Sequence, residues 1–270
     1  MQGRLPAARN PPDKTGPMTM NPTSALVVIG NEILSGRTQD ANIRFLAQEL
    51  GQIGAPLREV RIIPDVRETI VATLTEMKAR YEQVFTTGGI GPTHDDITAA
   101  CVAETFGVPL ELHAESAARL KAHYGTDRFT DARQRMAMLP RGATPIENTA
   151  SIAPGFSIGN VHVLAGVPTI MQAMFKAVAP KLKHGAPITS RTWHALGLYE
   201  SAIATPLEAV QTRFPGLDIG SYPFKESEER RGVALVAKGA DENEVKQAAE
   251  QIRALIEAAG ATPLEGEPAN

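Results

Sequence analysis

Thr86-Thr87-Gly88-Gly89-Ile90-Gly91-Pro92-Thr93-His94-Asp95-Asp96-Ile97-Thr98 is the stretch on which the fold turns. Ahead of it, Tyr81-Glu82-Gln83-Val84-Phe85 predicts a short strand; behind it, Ile97, Ala100, Cys101 and Glu104 begin a helical spacing. The stretch is therefore a strand-to-helix loop. Gly88, Gly89 and Gly91 carry no Cβ to hold a ligand off the backbone, and they allow φ > 0. Successive N–H groups can then face one anion, helped by the amides and positive end of the following helix. Asp95 and Asp96 would repel such a guest unless one caps the helix, one is protonated, or a divalent cation sits between. Glycine loop and acidic pair together suggest a metal-bridged phosphoryl or diphosphate site. The same residues also allow an ordinary turn with Asp96 as an N-cap. His94 stands where G-x-G-x-x-G needs its third glycine, and G-x-x-x-x-G-K-[ST] is absent, which excludes the Rossmann fingerprint and the Walker loop.

Outward from the loop, strands and helices alternate. Leu26-Val27-Val28-Ile29 is a continuous apolar run, as for a central parallel strand buried on both faces. Ile43, Leu46, Ala47 and Leu50 follow helical spacing, with Gly51 or Gly54 to end it. Leu57 to Ile63 predicts a second strand; Asp65 then precedes a helix with Ile70, Leu74 and Met77 on its face, and Glu68 completes a capping-box pattern. Helices are expected over Ala114–Tyr124 and Asp131–Leu139, loop with short extended pieces over Pro140–Phe156, a strand at Val161–Leu164, and a helix opened by Pro168. The alternation argues for an α/β fold: a three-layer sandwich with a mostly parallel sheet, whose ligands bind beyond the carboxyl ends of the strands. Asp65 and Asp96 both fall at that edge.

Pro180–Pro187 reads as a linker. After it, strand Arg191–Leu198, a helix entered at Thr205-Pro206-Leu207-Glu208, strands near Leu217–Tyr222 and Gly232–Ala237, and a helix from Asp241 form a small β-α-β-β-α unit. It carries no G-x-x-G loop and no basic cluster, so no nucleic-acid partner is expected.

Acidic residues outnumber basic ones by 30 to 27 across 270 residues, so no strong field favours nucleic acid or an anionic membrane. Cys101, the only cysteine, excludes an internal disulfide and fits a reducing compartment; it sits on an apolar helix face. No run approaches the roughly 20 apolar residues of a membrane span. Cytoplasmic localisation is the expectation. The first residues lack a hydrophobic signal segment and are rich in Pro, Asn and Gly, so 1–23 reads as a disordered lead-in or a misassigned start ahead of Met18 or Met20.

Asp65 and Asp96 are the residues expected to carry chemistry, with helix capping as the structural alternative. Asp95 either completes a metal site or faces water. Carboxylate and phosphate oxygens suit Mg²⁺ or a similar hard ion. Glu32 either orients a water or holds a ribose or pterin group, or is a solvated loop residue. For His94, backbone hydrogen bonding is preferred over a role as general base or phosphate donor. Gly155-Phe156-Ser157-Ile158-Gly159 matches G-x-S-x-G but lacks the strand-to-helix setting of a nucleophile elbow, so a serine hydrolase is rejected.

The loop closely resembles the signature of the MoaB/Mog-like molybdopterin-binding domain, in the version carried by the competence/damage-inducible protein A (CinA) family and by the amino-terminal part of some eukaryotic FAD synthases. Three further segments agree in order and spacing: Gly30-Asn31-Glu32-Ile33-Leu34-Ser35-Gly36 with Asp40 and Asn42; Pro64-Asp65; and Gly166-Val167-Pro168 with Met171 and Met174. The resemblance implies a MoaB/Mog-like domain over 24–183 and a KH-like α+β domain over 188–262; the family's further deamidase domain has no counterpart in these residues. It implies that Asp65 and Asp96 serve Mg²⁺-dependent nucleotide chemistry. Gly30, Glu32, Gly36, Asn42, Thr87, Gly88, Gly89, Gly91, Pro92, Thr93, His94, Thr98, Asn148, Gly166 and Pro168 become the candidate ligand-binding positions. Mg²⁺ or another divalent ion (Co²⁺, Mn²⁺), K⁺ and molybdopterin are the implied cofactors, and a homo-oligomer binding a nucleotide or pterin is the implied assembly. Asn31, Ser151 and Ala165 depart from the family's usual Asp, Gly and Pro. The leading expectation is a pyrophosphatase for ADP-ribose- or FAD-type dinucleotides. Its rivals are adenylyl transfer to molybdopterin and a non-catalytic binding domain.

Overall fold

The computed structural model describes residues 21–227 and 230–268. The chain opens with β1 (Ser24–Ile29), a short α1 (Asn31–Leu34), α2 (Asn42–Gln52), β2 (Leu57–Ile63), α3 (Arg67–Arg80), β3 (Gln83–Thr87) and α4 (Thr98–Phe106). Next come β4 (Leu110–Leu112), α5 (Ala114–Tyr124), a 3-10 turn, α6 (Asp131–Arg135) and β5 (Met138–Pro140). The main sheet is completed by β6 (Thr144–Ile146), β7 (Gly155–Ile158) and β8 (Val161–Leu164), and α7 (Pro168–Val178) follows.

The six-stranded sheet runs β2-β1-β3-β8-β7-β6. The first four strands are parallel; β7 runs antiparallel to β8, and β6, antiparallel to β7, returns to the common direction. Alternation along β1 explains the layers, because successive Cβ atoms point to opposite faces. Ala25, Val27 and Ile29 pack with Ile70, Leu74 and Met77 of α3 and Cys101 and Val102 of α4. Leu26 and Val28 pack with Leu46 and Leu50 of α2 and Met171, Met174 and Phe175 of α7. Both faces are covered, which is why β1 and β3 read as unbroken buried runs. Phe85 and Phe175 are fully buried and lie 6.1 Å apart between ring centroids; each such burial contributes on the order of 2–3 kcal/mol.

The second unit consists of β9 (Thr189–Leu196), α8 (Glu200–Arg213), β10 (Asp218–Lys225), β11 (Arg231–Gly239), α9 (Glu242–Ala258) and β12 (Leu264–Glu265), with sheet order β10-β11-β9-β12. Its core sets Ile203 and Val210 of α8 and Val245, Ala248 and Ile252 of α9 against Leu235 and Ala237 of β11. No helix among the described residues is long and apolar enough to cross a membrane.

Several expectations change. The third strand begins at Gln83 and takes in Thr86 and Thr87, because its register is set by Val84 against Val161 on β8. The helix expected over Asp131–Leu139 stops at Arg135, since Met138–Pro140 pairs with Leu110–Leu112 as a ribbon. Pro206 does not open α8: the helix starts at Glu200, where Ile203 seeds the buried face, and it accommodates the proline one ladder bond short. Residues 31–34, expected as loop, form α1. The second unit runs past 262, because β12 pairs with β9. The Pro180–Pro187 segment is pinned to the first unit, with Gly185 N–H donating to Ile53 O and Ala186 N–H to Asn21 Oδ1. Of the lead-in expected over 1–23, residues 1–20 lie outside the described residues; Thr23 N–H already donates to Glu82.

Ser157 and His162 pair on β7 and β8, Ser157 Oγ lying 2.9 Å from His162 Nδ1, and the imidazole packs on Phe85. Burial lowers the His162 pKa to about 4. The unfolded chain takes up this proton near pH 6.5 and the folded chain resists it. The stability contribution is therefore full above pH 6.5 and is lost as pH falls toward 4, by up to about 3 kcal/mol. Urea unfolding of the wild type and His162→Asn should show this as a steeper acid loss in the wild type; parallel pH profiles would contradict it.

Candidate functional site

Ile29, Thr87 and Leu164 end β1, β3 and β8 at one edge of the sheet, and a cleft of about 410 Å³ opens beyond them. Gly88 and Gly89 form its floor at φ +102° and +67°. A side chain at Gly88 would drive into Ile29 O, and one at Gly89 into Thr98 Oγ1, so only glycine lets the loop lie this close to β1 and α4. Thr98 secures the loop from behind, its Oγ1 donating to Gly88 O and its N–H to Gly89 O. Among the described residues the amides of Gly89, Ile90 and Gly91 donate to no protein acceptor. They are the groups able to receive an anion.

Asp65, just beyond β2, and Asp96, beyond the glycine loop, both line this cleft, together with Glu32 and Asp95. Neither aspartate caps the helix that follows it. The N-caps of α3 and α4 are Val66 and Ile97, without side-chain bonds, so the capping box with Glu68 and the N-cap reading of Asp96 are both set aside. Asp65 Oδ2 instead accepts from Asn31 N–H at 2.8 Å, which ties the end of β2 to α1. Asp96 Oδ2 accepts from Thr93 N–H at 2.8 Å and from Thr93 Oγ1. Its carboxylate folds back over Gly91, where a Cβ would stand 2.6 Å from Oδ2. Thr93's side chain also lies against Asp95, and with the Asp95 amide and His94 it holds that carboxyl below the usual range. A single hydroxyl proton serves one carboxylate at a time, and Asp96 Oδ2 lies 2.5 Å from Thr93 Oγ1.

Of the ligand-binding candidates, Glu32, Gly88, Gly89, Gly91, Pro92, Thr93 and Gly166 line the cleft. Gly30, Asn42, Thr98 and Asn148 support it from behind. Asn42 Nδ2 donates to Gly166 O, and Asn148 closes the 148–153 turn through Ser151 and Ala153. Gly30 leaves room for the Glu32 carboxylate. Thr87 is buried in β3, and Pro168 begins α7. Gly36 and the exposed His94 are outside the lining. Asn31 contributes its backbone rather than its amide side chain, so its exchange for the family's Asp leaves the Asp65 contact intact.

Met136, Ala153 and Ile170 were not singled out by the sequence, yet they add apolar side chains to the lining of the same cleft. Met136 gets there through a satellite core of Ala117, Leu120 and Ala137 that also packs on Ile152 and Ala153. A methionine after a short charged helix gives no local sign of that contact. Arg135 beside it donates to Pro92 O at 3.1 Å.

No three His, Cys, Asp or Glu side chains among the described residues gather as a metal cage. Asp65 and Asp96 are the cleft residues that could hold a Mg²⁺-type ion, which takes one or two carboxylates and fills its shell from phosphates and water. Sulfur sites are excluded for Cys101, which is buried and whose thiol is pushed up to about 11 by burial.

A family model described as "Probable molybdopterin binding domain" matches residues 25–184, nearly all of the first unit. The chain belongs to the molybdopterin-binding domain family. A model described as "FAD synthase, middle domain" matches residues 187–265 and so takes in β9 to β12. Among relatives of this MoaB/Mog-like chain, a Pyrobaculum calidifontis protein is 34% identical over 75% of the chain and 81% of its own length. A CinA-like protein from a Geobacter species is 36% identical over 68% of the chain and 47% of its own length. The crystal structure of CinA from Thermoplasma acidophilum, titled as of unknown function, superposes with a TM-score of 0.57 at 32% identity, over 60% of this chain and 99% of that one. The chain is thus CinA-like in both sequence and fold.

Gly88→Ala should cost about 2–4 kcal/mol and lower the melting temperature by about 5–10 °C, because strain and clash with Ile29 O coincide. Asp96→Asn, which removes no helix cap, should stay within about 2 °C of wild type. Equal losses by differential scanning calorimetry would contradict this division of roles.

Proposed function

We propose that this CinA-like protein is a divalent-metal-assisted nucleotide pyrophosphatase acting on ADP-ribose- or FAD-type diphosphates. One observation carries the reading: Asp65 and Asp96, from separate strand ends, converge on the cleft that also presents the amides of Gly89, Ile90 and Gly91. In it the diphosphate lies on those amides, each hydrogen bond to a charged oxygen contributing about 1.5–3 kcal/mol. Asp65 and Asp96 are the residues that would hold the divalent ion, each having one carboxylate oxygen not committed to Asn31 or Thr93. When bound, that ion supplies the positive charge that offsets the phosphates and the acidic side chains. Glu32 orients a water toward phosphorus. One P–O bond forms and the bridging P–O bond breaks, giving AMP and a second monophosphate, with the water proton released. Met136, Ala153 and Ile170 supply an apolar surface for a planar ring. The same cleft is compatible in its chemistry with adenylyl transfer to molybdopterin, and with binding alone.

Purified protein incubated with ADP-ribose, FAD, or ATP plus molybdopterin, with Mg²⁺ or Co²⁺ and with chelator, separates these readings. Metal-dependent AMP release from the diphosphates supports the proposal. An adenylylated pterin, or binding without turnover under every metal condition, would overturn it. Asp65→Asn and Asp96→Asn should each lower kcat by about 100-fold or more.

A further inference from the structure

The pyrophosphatase reading needs the Asp96 carboxylate to offer one oxygen in a fixed direction, yet a side chain at a loop's end has two free rotors. Thr93 removes that freedom. Its N–H and its hydroxyl both donate to Asp96 Oδ2, at 2.8 and 2.5 Å, and Asp96 N–H returns a bond to Thr93 O at 3.4 Å. The result is a closed Thr93–Asp96 turn that swings the carboxylate back across Gly91, away from the start of α4. Thr93 is itself anchored one residue earlier, where Arg135 donates to Pro92 O. The Thr93 hydroxyl proton is spent on a carboxylate, so it is not the phosphate donor its place in the cleft suggests.

We infer that Thr93 is a positioning residue for Asp96, fixing Oδ2 to the loop so that Oδ1 is the oxygen presented to the ligand. The inference rests on the pyrophosphatase reading for its kinetic consequence but not for its binding consequence. Thr93→Val keeps the N–H and the shape and loses the hydroxyl; Thr93→Ser keeps the hydroxyl.

With ADP-ribose and Mg²⁺, Thr93→Val should lose about 10–100-fold in kcat, with KM within about threefold, and Thr93→Ser should stay within about threefold in both. Melting temperatures should remain within about 3 °C of wild type, and Thr93→Ala replaces the valine variant if that one unfolds. Electron paramagnetic resonance of Mn²⁺ with ADP should show weaker ion binding in Thr93→Val and wild-type binding in Thr93→Ser. A wild-type kcat in Thr93→Val, a rise in KM alone, or equal damage in the serine variant would overturn the inference. If the wild type cleaves no diphosphate, the parent reading fails instead, and equal Mn²⁺ binding by wild type and Thr93→Val would still refute the role of Thr93.

Discussion

Open backbone amides and four carboxylates share one cleft, and groups of opposite electrostatic demand can be neighbours only if their spacing is rigid. An anion drawn to the amides of Gly89 and Gly91 meets Asp95 and Asp96 a few residues along and Asp65 from another strand. The surrounding structure supplies that rigidity. β1 is buried on both faces and holds β2 and β3 in parallel register, which brings Asp65 and the glycine loop to the same edge. Gly88 then lies against Ile29 O with no room for a side chain, and Thr98 at the start of α4 fixes the loop from the far side.

The carboxylates are fixed in the same way. Each aspartate accepts a backbone N–H on one oxygen, Asp65 from Asn31 at the start of α1 and Asp96 from Thr93 in its own loop. Charge-assisted bonds of this kind set orientation as well as energy. Met136, Ala153 and Ile170 add apolar surface to the same cleft, which is therefore lined by both charged and apolar groups. Catalysis by such a site would draw mainly on preorganisation, with little reorganisation left for the ligand to induce.

Much of this was legible in the sequence, and the limits are physical. The glycine loop, Asp65 and Asp96 announce themselves because their signals are local: missing Cβ atoms, acids at strand ends, apolar runs of strand length. The role of each carboxylate was not, since Asp before a helix looks the same whether it caps the helix or turns back on Thr93. Met136 was invisible because its place depends on a satellite core assembled from α5, α6 and the 148–153 turn. Pro206 misled because a proline signals the first helical turn far more often than an interior position, and here burial of Ile203 outweighed it. The short β4–β5 ribbon carries too few residues for any period to emerge.

Crystals grown with ADP and Mn²⁺, measured at the manganese absorption edge, address the shared site most directly. The account predicts one anomalous peak contacted by Asp65 and Asp96, with a phosphate on the amides of Gly89 to Gly91. A manganese peak remote from either aspartate, or phosphates bound away from the glycine loop, would contradict it.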